Sequence, residues 1–269
     1  MEPDVVVAPP TAERVAAALT TGWLGRAYEW HDQCPSTSDL AAARARAGAP
    51  AGLVIAADAQ TAGRGRLGRS WHSPAGESLY FSILLRPARP ANEIPPLTLV
   101  AGAAVADAVA PLGVAPRLKW PNDLQLVGRD GARRKLCGIL TEMATSGARV
   151  EHVVVGIGIN VNGVDFPPEL VDRATSLRAA LGRPIDRAAL LAAVLAAFEP
   201  RYAAFEQRGP AAAAAAFDAY AALPDRCRVS NGGAPLEGVA LGVDDDGALR
   251  LRDDDGRIHR IISGELLPS

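Results

Sequence analysis

The chain has 269 residues, 49% of them hydrophobic and 22% charged, enough for one large domain with a core, or for one domain and a small appendage. A formal net charge of -2 excludes the globally basic surface that nucleic acid or an anionic membrane selects. No apolar run reads as long enough to span a bilayer, and the acidic start Met-Glu-Pro-Asp lacks the basic region of a secretory signal. The three cysteines, Cys34, Cys137 and Cys227, have neither disulfide nor metal spacing, so a soluble, reducing, cytoplasmic setting is the expectation.

In chain order, Thr11 predicts the cap of a short helix. Residues 53–58 read as a buried strand, 61–76 as a long loop rich in Gly, Arg and Ser, and 79–85 as an alternating strand with aromatics. Residues 95–110 predict a helix opened by prolines. Three more strands are expected at 117–120, 136–143 and 150–160, then two helices within 186–223, broken at Gly209-Pro210. The alanine run after Pro210 favours helix but offers little to pack, which leaves its place in the core open. Near Leu223-Pro224 the composition changes. Turn signals at Asn231-Gly232-Gly233, Asp244-Asp245-Asp246-Gly247 and Asp253-Asp254-Asp255-Gly256 predict a small β-barrel of about five short strands. The fold class is therefore α/β (α+β), with a larger mixed unit at 1–222 and a small β unit at 223–269.

Four segments carry the chemistry. Gln60-Thr61-Ala62-Gly63-Arg64-Gly65-Arg66-Leu67-Gly68-Arg69-Ser70-Trp71 has the glycine spacing of a dinucleotide fingerprint, but it runs toward a strand rather than opening a helix, so that reading is rejected. A flexible anion clamp fits better. Its glycines let backbone fold over a ligand, and Arg64, Arg66 and Arg69 offer forked donors to carboxylate and phosphate oxygens. A solvated basic loop is the plainer reading. Arg117-Leu118-Lys119-Trp120-Pro121-Asn122-Asp123 places Lys119, Asn122 and Asp123 at a strand end. Lys135-Leu136-Cys137-Gly138-Ile139-Leu140-Thr141-Glu142 has small residues that allow a ligand close to the strand. In Val155-Gly156-Ile157-Gly158-Ile159-Asn160 the glycines alternate on one face and leave room for a flat group, although for that piece taken alone a core strand with tight helix packing is the favoured reading. Of 28 cationic side chains only Lys119 and Lys135 are lysines, and each lies inside one of these segments.

Together and in this order, the four segments resemble the biotin protein ligase family, over roughly residues 28–162, and the tail resembles that family's small SH3-like C-terminal domain. The resemblance implies a mixed-sheet, biotin/lipoate ligase-like catalytic domain. It places Ser36, Thr37, Ser38 and Gln60 at the biotin head group, with Gly63, Arg64, Arg66, Lys135 and Gly138 around the ring and carboxylate. Arg66, Arg69, Trp71, Lys119, Asn122 and Asn160 match the ATP side, and Arg66, Lys119 and Lys135 match the catalytic positions. Ser38 departs from the family's usual Asn; Ser36 to Asp39 equally suits a helix cap. The implied chemistry is formation of biotinyl-AMP from ATP and biotin with Mg²⁺. Transfer to a lysine of a biotin carboxyl carrier protein follows. No cluster of protein metal ligands is implied, and Asp123 either orients Lys119 or assists magnesium. A homodimer is left open. A lipoate ligase and a non-catalytic biotin-sensing module are the rivals. A DNA-binding repressor is disfavoured, because only about 30 residues precede Ser36, too few for a helix-turn-helix domain.

Overall fold

The computed structural model describes residues 8–147, 149–224, 226–230 and 234–267. The acidic N-terminal stretch and the Asn231-Gly232-Gly233 turn lie outside them. The elements are α1 (Ala12–Ala18), β1 (Tyr28–Cys34), α2 (Thr37–Arg46), β2 (Val54–Gln60), β3 (Leu79–Leu85), α3 (Leu97–Val109), β4 (Pro116–Lys119), β5 (Asp123–Val127), β6 (Arg133–Ser146), β7 (Arg149–Ile159), α4 (Leu177–Leu181), α5 (Arg187–Arg208) and α6 (Pro210–Asp218). Then come β8 (Arg226–Ser230), β9 (Leu236–Val243), β10 (Leu249–Arg252), β11 (Ile258–Ile261) and β12 (Glu265–Leu267).

The first seven strands form a mixed sheet in the order β1-β2-β3-β7-β6-β5-β4, parallel between β1 and β2 and antiparallel elsewhere. Strand alternation gives this sheet two different faces. Val54, Ala56, Phe81, Ile83, Val153, Val155 and Ile157 are buried in the main core with residues of α3 and α5. Gly102 in α3 lets helix and sheet approach closely, since a methyl there would stand 2.7 Å from Leu118 Cδ2. Ile55, Leu84 and Val154 face the other way, in a smaller cluster with Ala41 and Ala45 of α2. Because α2 is only 10 residues long, it covers one end of that face and leaves the other end open.

Several details differ from the sequence reading. Thr11 occupies the α1 cap position, but its side chain makes no capping hydrogen bond, and the helix is anchored by buried Val15. Strands β1 and β5 escaped notice because they are short and polar, one of them half-exposed at the sheet edge. The alanine run does enter the core: Ala212, Ala213, Ala214, Ala216 and Phe217 are buried, and small side chains there permit close helix packing. The expectation that no run could span a bilayer also needs correction. The helical segments Ala91–Leu112 and Arg187–Arg208 are long and apolar enough, but 67% and 50% of their apolar windows are buried inside the protein, where α3 and α5 contribute to the main core.

The C-terminal strands form an antiparallel sheet in the order β11-β10-β9-β8-β12, with no pairing between β11 and β12 among the described residues. It packs on the larger unit. Trp120 Nε1 donates to the Gly247 carbonyl at 3.1 Å, and a methyl at Gly247 would stand 3.0 Å from Pro96.

Candidate active site

The open end of the α2 face is a cleft. Paired residues on adjacent strands share a face, so the registers Ser82↔Gly156↔Leu140 and Tyr80↔Gly158↔Gly138 align three glycines along its floor. A methyl at Gly156 would stand 2.6 Å from Ser38 Oγ; one at Gly158 would stand 2.5 Å from Trp71 Cε2 and Nε1. One at Gly138 would stand 2.7 Å from Trp71 Cζ3. The glycines are thus required by close approach: the Trp71 indole lies on the floor, with its Nε1 buried and unpaired among the described residues. With its open mouth the cleft holds about 480 Å³.

One end of the cleft is polar and uncharged. Ser36 caps α2, accepting from Asp39 N, and this aims the first turn of the helix into the cleft. Thr37 N donates to Gln60 Oε1 at 2.9 Å, and Gln60 Nε2 donates to Ser73 Oγ at 3.1 Å. The hydroxyls of Thr37 and Ser38 both meet Ser82 Oγ, at 2.8 and 3.0 Å. The sequence reading missed Ser82, although a lone serine within Leu79-Tyr80-Phe81-Ser82-Ile83-Leu84-Leu85 is the kind of buried polar group that asks for a partner.

The other end is cationic. Lys135 Nζ lies 2.6 Å from Asp123 Oδ1 and 5.2 Å from the centre of the Trp71 ring. Arg66 Nη1 donates to Asn122 Oδ1 at 3.2 Å and to the Gly264 carbonyl at 3.1 Å, and burial depresses the pKa of its guanidinium. Asn122 is held in turn by the Ile139 carbonyl, to which its Nδ2 donates at 3.1 Å. Arg64 reaches the cleft but is paired with Glu142 at 2.7 Å and with Asp39 at 2.8 Å. The loop tip turns at Leu67, which takes a left-handed φ of 57° and is exposed.

The structure therefore brings Ser36, Thr37, Ser38, Gln60, Arg64, Arg66, Trp71, Asn122, Lys135 and Gly138 to one cleft. It places four expected residues elsewhere. Gly63 sits behind the cleft, where Trp71 N donates to its carbonyl at 2.9 Å and a methyl would meet Trp71 O at 2.7 Å. Asn160 spends its amide on the Thr175 and Lys135 carbonyls, at 3.1 and 3.5 Å, so it ties strand ends together instead of facing the cleft. Arg69 points away, to an ion pair with Glu265 in β12. Lys119 does not line the cleft either. It acts on Glu265, whose carboxyl pKa is held low first by the Arg69 hydrogen bond and less strongly by Lys119 and Arg66. Cys137 is fully buried and its thiol pKa is pushed up by burial, the opposite of an activated nucleophile.

The chain thus combines a mixed sheet, a glycine-lined cleft with one polar and one cationic end, and a small β unit beside it. The Biotin/lipoate A/B protein ligase family model matches residues 30–160, and the Biotin protein ligase C terminal domain model matches residues 225–266. The bifunctional ligase/repressor BirA of Bacillus subtilis is 41% identical over 254 residues, which cover 92% of this chain and 76% of that protein. The biotin--[acetyl-CoA-carboxylase] ligase of Mycobacterium tuberculosis is 35% identical over 271 residues, covering 96% of each. Among solved structures, a biotin protein ligase from Aquifex aeolicus in complex with biotin and ATP superposes with a TM-score of 0.76, at 30% identity, covering 90% of this chain and 98% of that one. The chain belongs to the biotin protein ligase family.

Proposed function

We infer that the chain is a biotin protein ligase in activity: it converts biotin and ATP to biotinyl-AMP and pyrophosphate, then passes the biotinyl group to a lysine of a biotin carboxyl carrier protein, in the cytoplasm. One observation carries this reading. A single cleft, its floor lined by three glycines and the Trp71 indole, has uncharged hydrogen-bonding groups at one end and Arg66 and Lys135 at the other. An uncharged ring and a carboxylate on the same molecule are complementary to that polarity.

In the first step a biotin carboxylate oxygen attacks the α-phosphorus of ATP, and pyrophosphate leaves. Both reactants are anions, so the cationic end must offset their repulsion before they meet. Arg66 supplies a forked donor set that stays protonated despite its burial. Lys135 supplies a compact ammonium whose position is set by Asp123. In the second step the carrier's lysine amine attacks the acyl carbonyl, AMP leaves and the amine gives up a proton. No enzyme nucleophile is required, which agrees with the inert setting of Cys137. Excluding water protects the mixed anhydride between the steps, and that is the task assigned to the 61–76 loop. Magnesium would enter with the triphosphate and add charge neutralisation. The described residues hold no group of three His, Cys, Asp or Glu around one point, so phosphate oxygens would be its main ligands, and Asp123, beside Lys135 at the cationic end, would be the carboxylate to assist it.

The test is to incubate the protein with ATP and either biotin or lipoate, then add a carrier. Biotinyl-AMP and a biotinylated lysine are expected; lipoyl-AMP formed in preference would move the chain to the lipoate ligases, and tight biotin binding without any adenylate would make it a sensing module. Ser82 provides a finer check. Ser82→Ala removes the partner shared by Thr37 and Ser38, at about 1 kcal/mol for a neutral hydrogen bond. Biotin KM is expected to rise about fivefold with kcat nearly unchanged. An unaltered KM would show that these hydroxyls do not need Ser82 to hold biotin.

A further inference from the structure

Arg187, the first residue of α5, is 1% exposed, in a helix far along the chain from the 61–76 loop. Its Nη1 donates to Asp58 Oδ1 at 2.6 Å and to the Ser78 carbonyl at 3.1 Å. The second carboxylate oxygen of Asp58 accepts from Gly76 N at 3.0 Å. Asp58 belongs to β2, the strand that leads into the loop; Gly76 and Ser78 belong to the segment that leads out of it into β3. One buried guanidinium therefore ties both stems of the 61–76 loop to α5. Taking a guanidinium out of water is costly, and a hydrophobic pair of similar size usually serves stability at least as well. Arg187 Nε is, moreover, buried without a hydrogen-bond partner among the described residues. The arrangement is poorly explained by stability and well explained by geometry.

Two residues beyond Asp58, at the end of β2, Gln60 holds Thr37 N and Ser73 Oγ, and Ser73 Oγ donates to the Trp71 carbonyl at 3.0 Å. A shift of either stem is thus passed to the polar end of the cleft through Gln60 and to the indole on its floor through Ser73. The stems stay fixed while the tip, with its glycines and arginines, is left to close.

We propose that Arg187 and Asp58 are positioning residues for adenylate retention: by stapling both stems of the 61–76 loop they keep the closed cleft from leaking its acyl-adenylate. This rests on the ligase reading above. Loss of the staple loosens the loop without removing any group that touches biotin or ATP. The leaked species is the same biotinyl-AMP; no bond changes beyond the two steps already given.

Three variants test this. Arg187→Met removes both donors, Asp58→Asn leaves one of its two bonds without a suitable acceptor, and Arg187→Lys keeps a charged donor within reach of both acceptors. Two quantities are read beside Tm. The first is the share of biotinyl-AMP released to solution before a carrier is added. The second is the rate of tryptic cleavage at Arg64–Arg69 in the empty protein, relative to cleavage elsewhere in the chain. Arg187→Met and Asp58→Asn are expected to raise both about fivefold, through opening of the loop alone. Arg187→Lys is expected to return both to within about twofold of the starting protein. Wild-type release and wild-type loop cleavage in these variants, whatever happens to Tm, would reduce the pair to a structural contact and overturn the proposal. Should Arg187→Met fail to fold, the near-isosteric Asp58→Asn decides. The tryptic arm requires no activity, so a protein that makes no biotinyl-AMP would sink the ligase reading while leaving the staple to be judged by cleavage.

Discussion

Lys135→Arg is expected to slow adenylate formation about a hundredfold, equivalent to about 2.7 kcal/mol in the barrier, while Tm stays within a few degrees. Lys135 Nζ sits between Asp123 at 2.6 Å and the Trp71 ring at 5.2 Å, and a methyl at Gly138 would stand 3.2 Å from its Cε and Nζ. That space suits a compact ammonium. A planar guanidinium is wider and carries its donors in a rigid fork, so it must displace the indole or enter the glycine floor where the ligand belongs. The chain uses arginine at nearly every other cationic position, so the two lysines mark places where that exchange has not occurred. Quenched pre-steady-state formation of biotinyl-AMP, measured beside thermal unfolding, is the check; a wild-type rate in Lys135→Arg would remove it from the reacting centre. Lys119→Arg is the contrast. Lys119 lies outside the cleft and acts toward Glu265, so Lys119→Arg is expected to slow adenylation by less than about tenfold.

Arg66→Ala should be more damaging, at about a hundred- to a thousandfold in adenylation, the range seen when one donor to a developing charge is removed. Arg66 lines the glycine-floored cleft, the neighbouring chamber against the C-terminal sheet, and the groove beneath the loop tip. Its bonds to Asn122 and to the Gly264 carbonyl connect the loop both to the catalytic sheet and to the C-terminal unit. Alanine therefore removes charge neutralisation and closure together. Release of free biotinyl-AMP is expected to rise as its formation falls. Separating protein-bound from free adenylate after one turnover distinguishes the two effects, and an unchanged bound fraction would show that Arg66 neutralises charge without closing the loop.

The cleft was legible in the sequence where its residues are contiguous or periodic. Gly156 and Gly158 alternate, so they had to share one strand face, and the glycine-arginine segment was plain as a loop between two strands. The long apolar strand β3 and the proline-opened α3 were equally plain. Asn160 shows where this reasoning ends. Its position in a motif implied a ligand, yet its amide satisfies two backbone carbonyls, one of them from residue 175, which no local pattern pairs with it. Ser82 and Arg187 went unnoticed for the related reason that each acts on partners more than forty positions away.

The class of chemistry and ten of the residues that meet in the cleft were implied by the resemblance of four sequence segments to the biotin protein ligase family, whereas strand alternation by itself put only Gly156 and Gly158 on one face. Only the tertiary structure decided which charges face a ligand and which face each other. Arg64, Arg66 and Arg69 look alike along the chain; in space Arg64 is matched by Glu142 and Asp39, Arg69 by Glu265, and Arg66 by the uncharged acceptors Asn122 and Gly264. The physical reason is that an electrostatic role depends on distance and burial, which are set by strand register and by the docking of the C-terminal sheet.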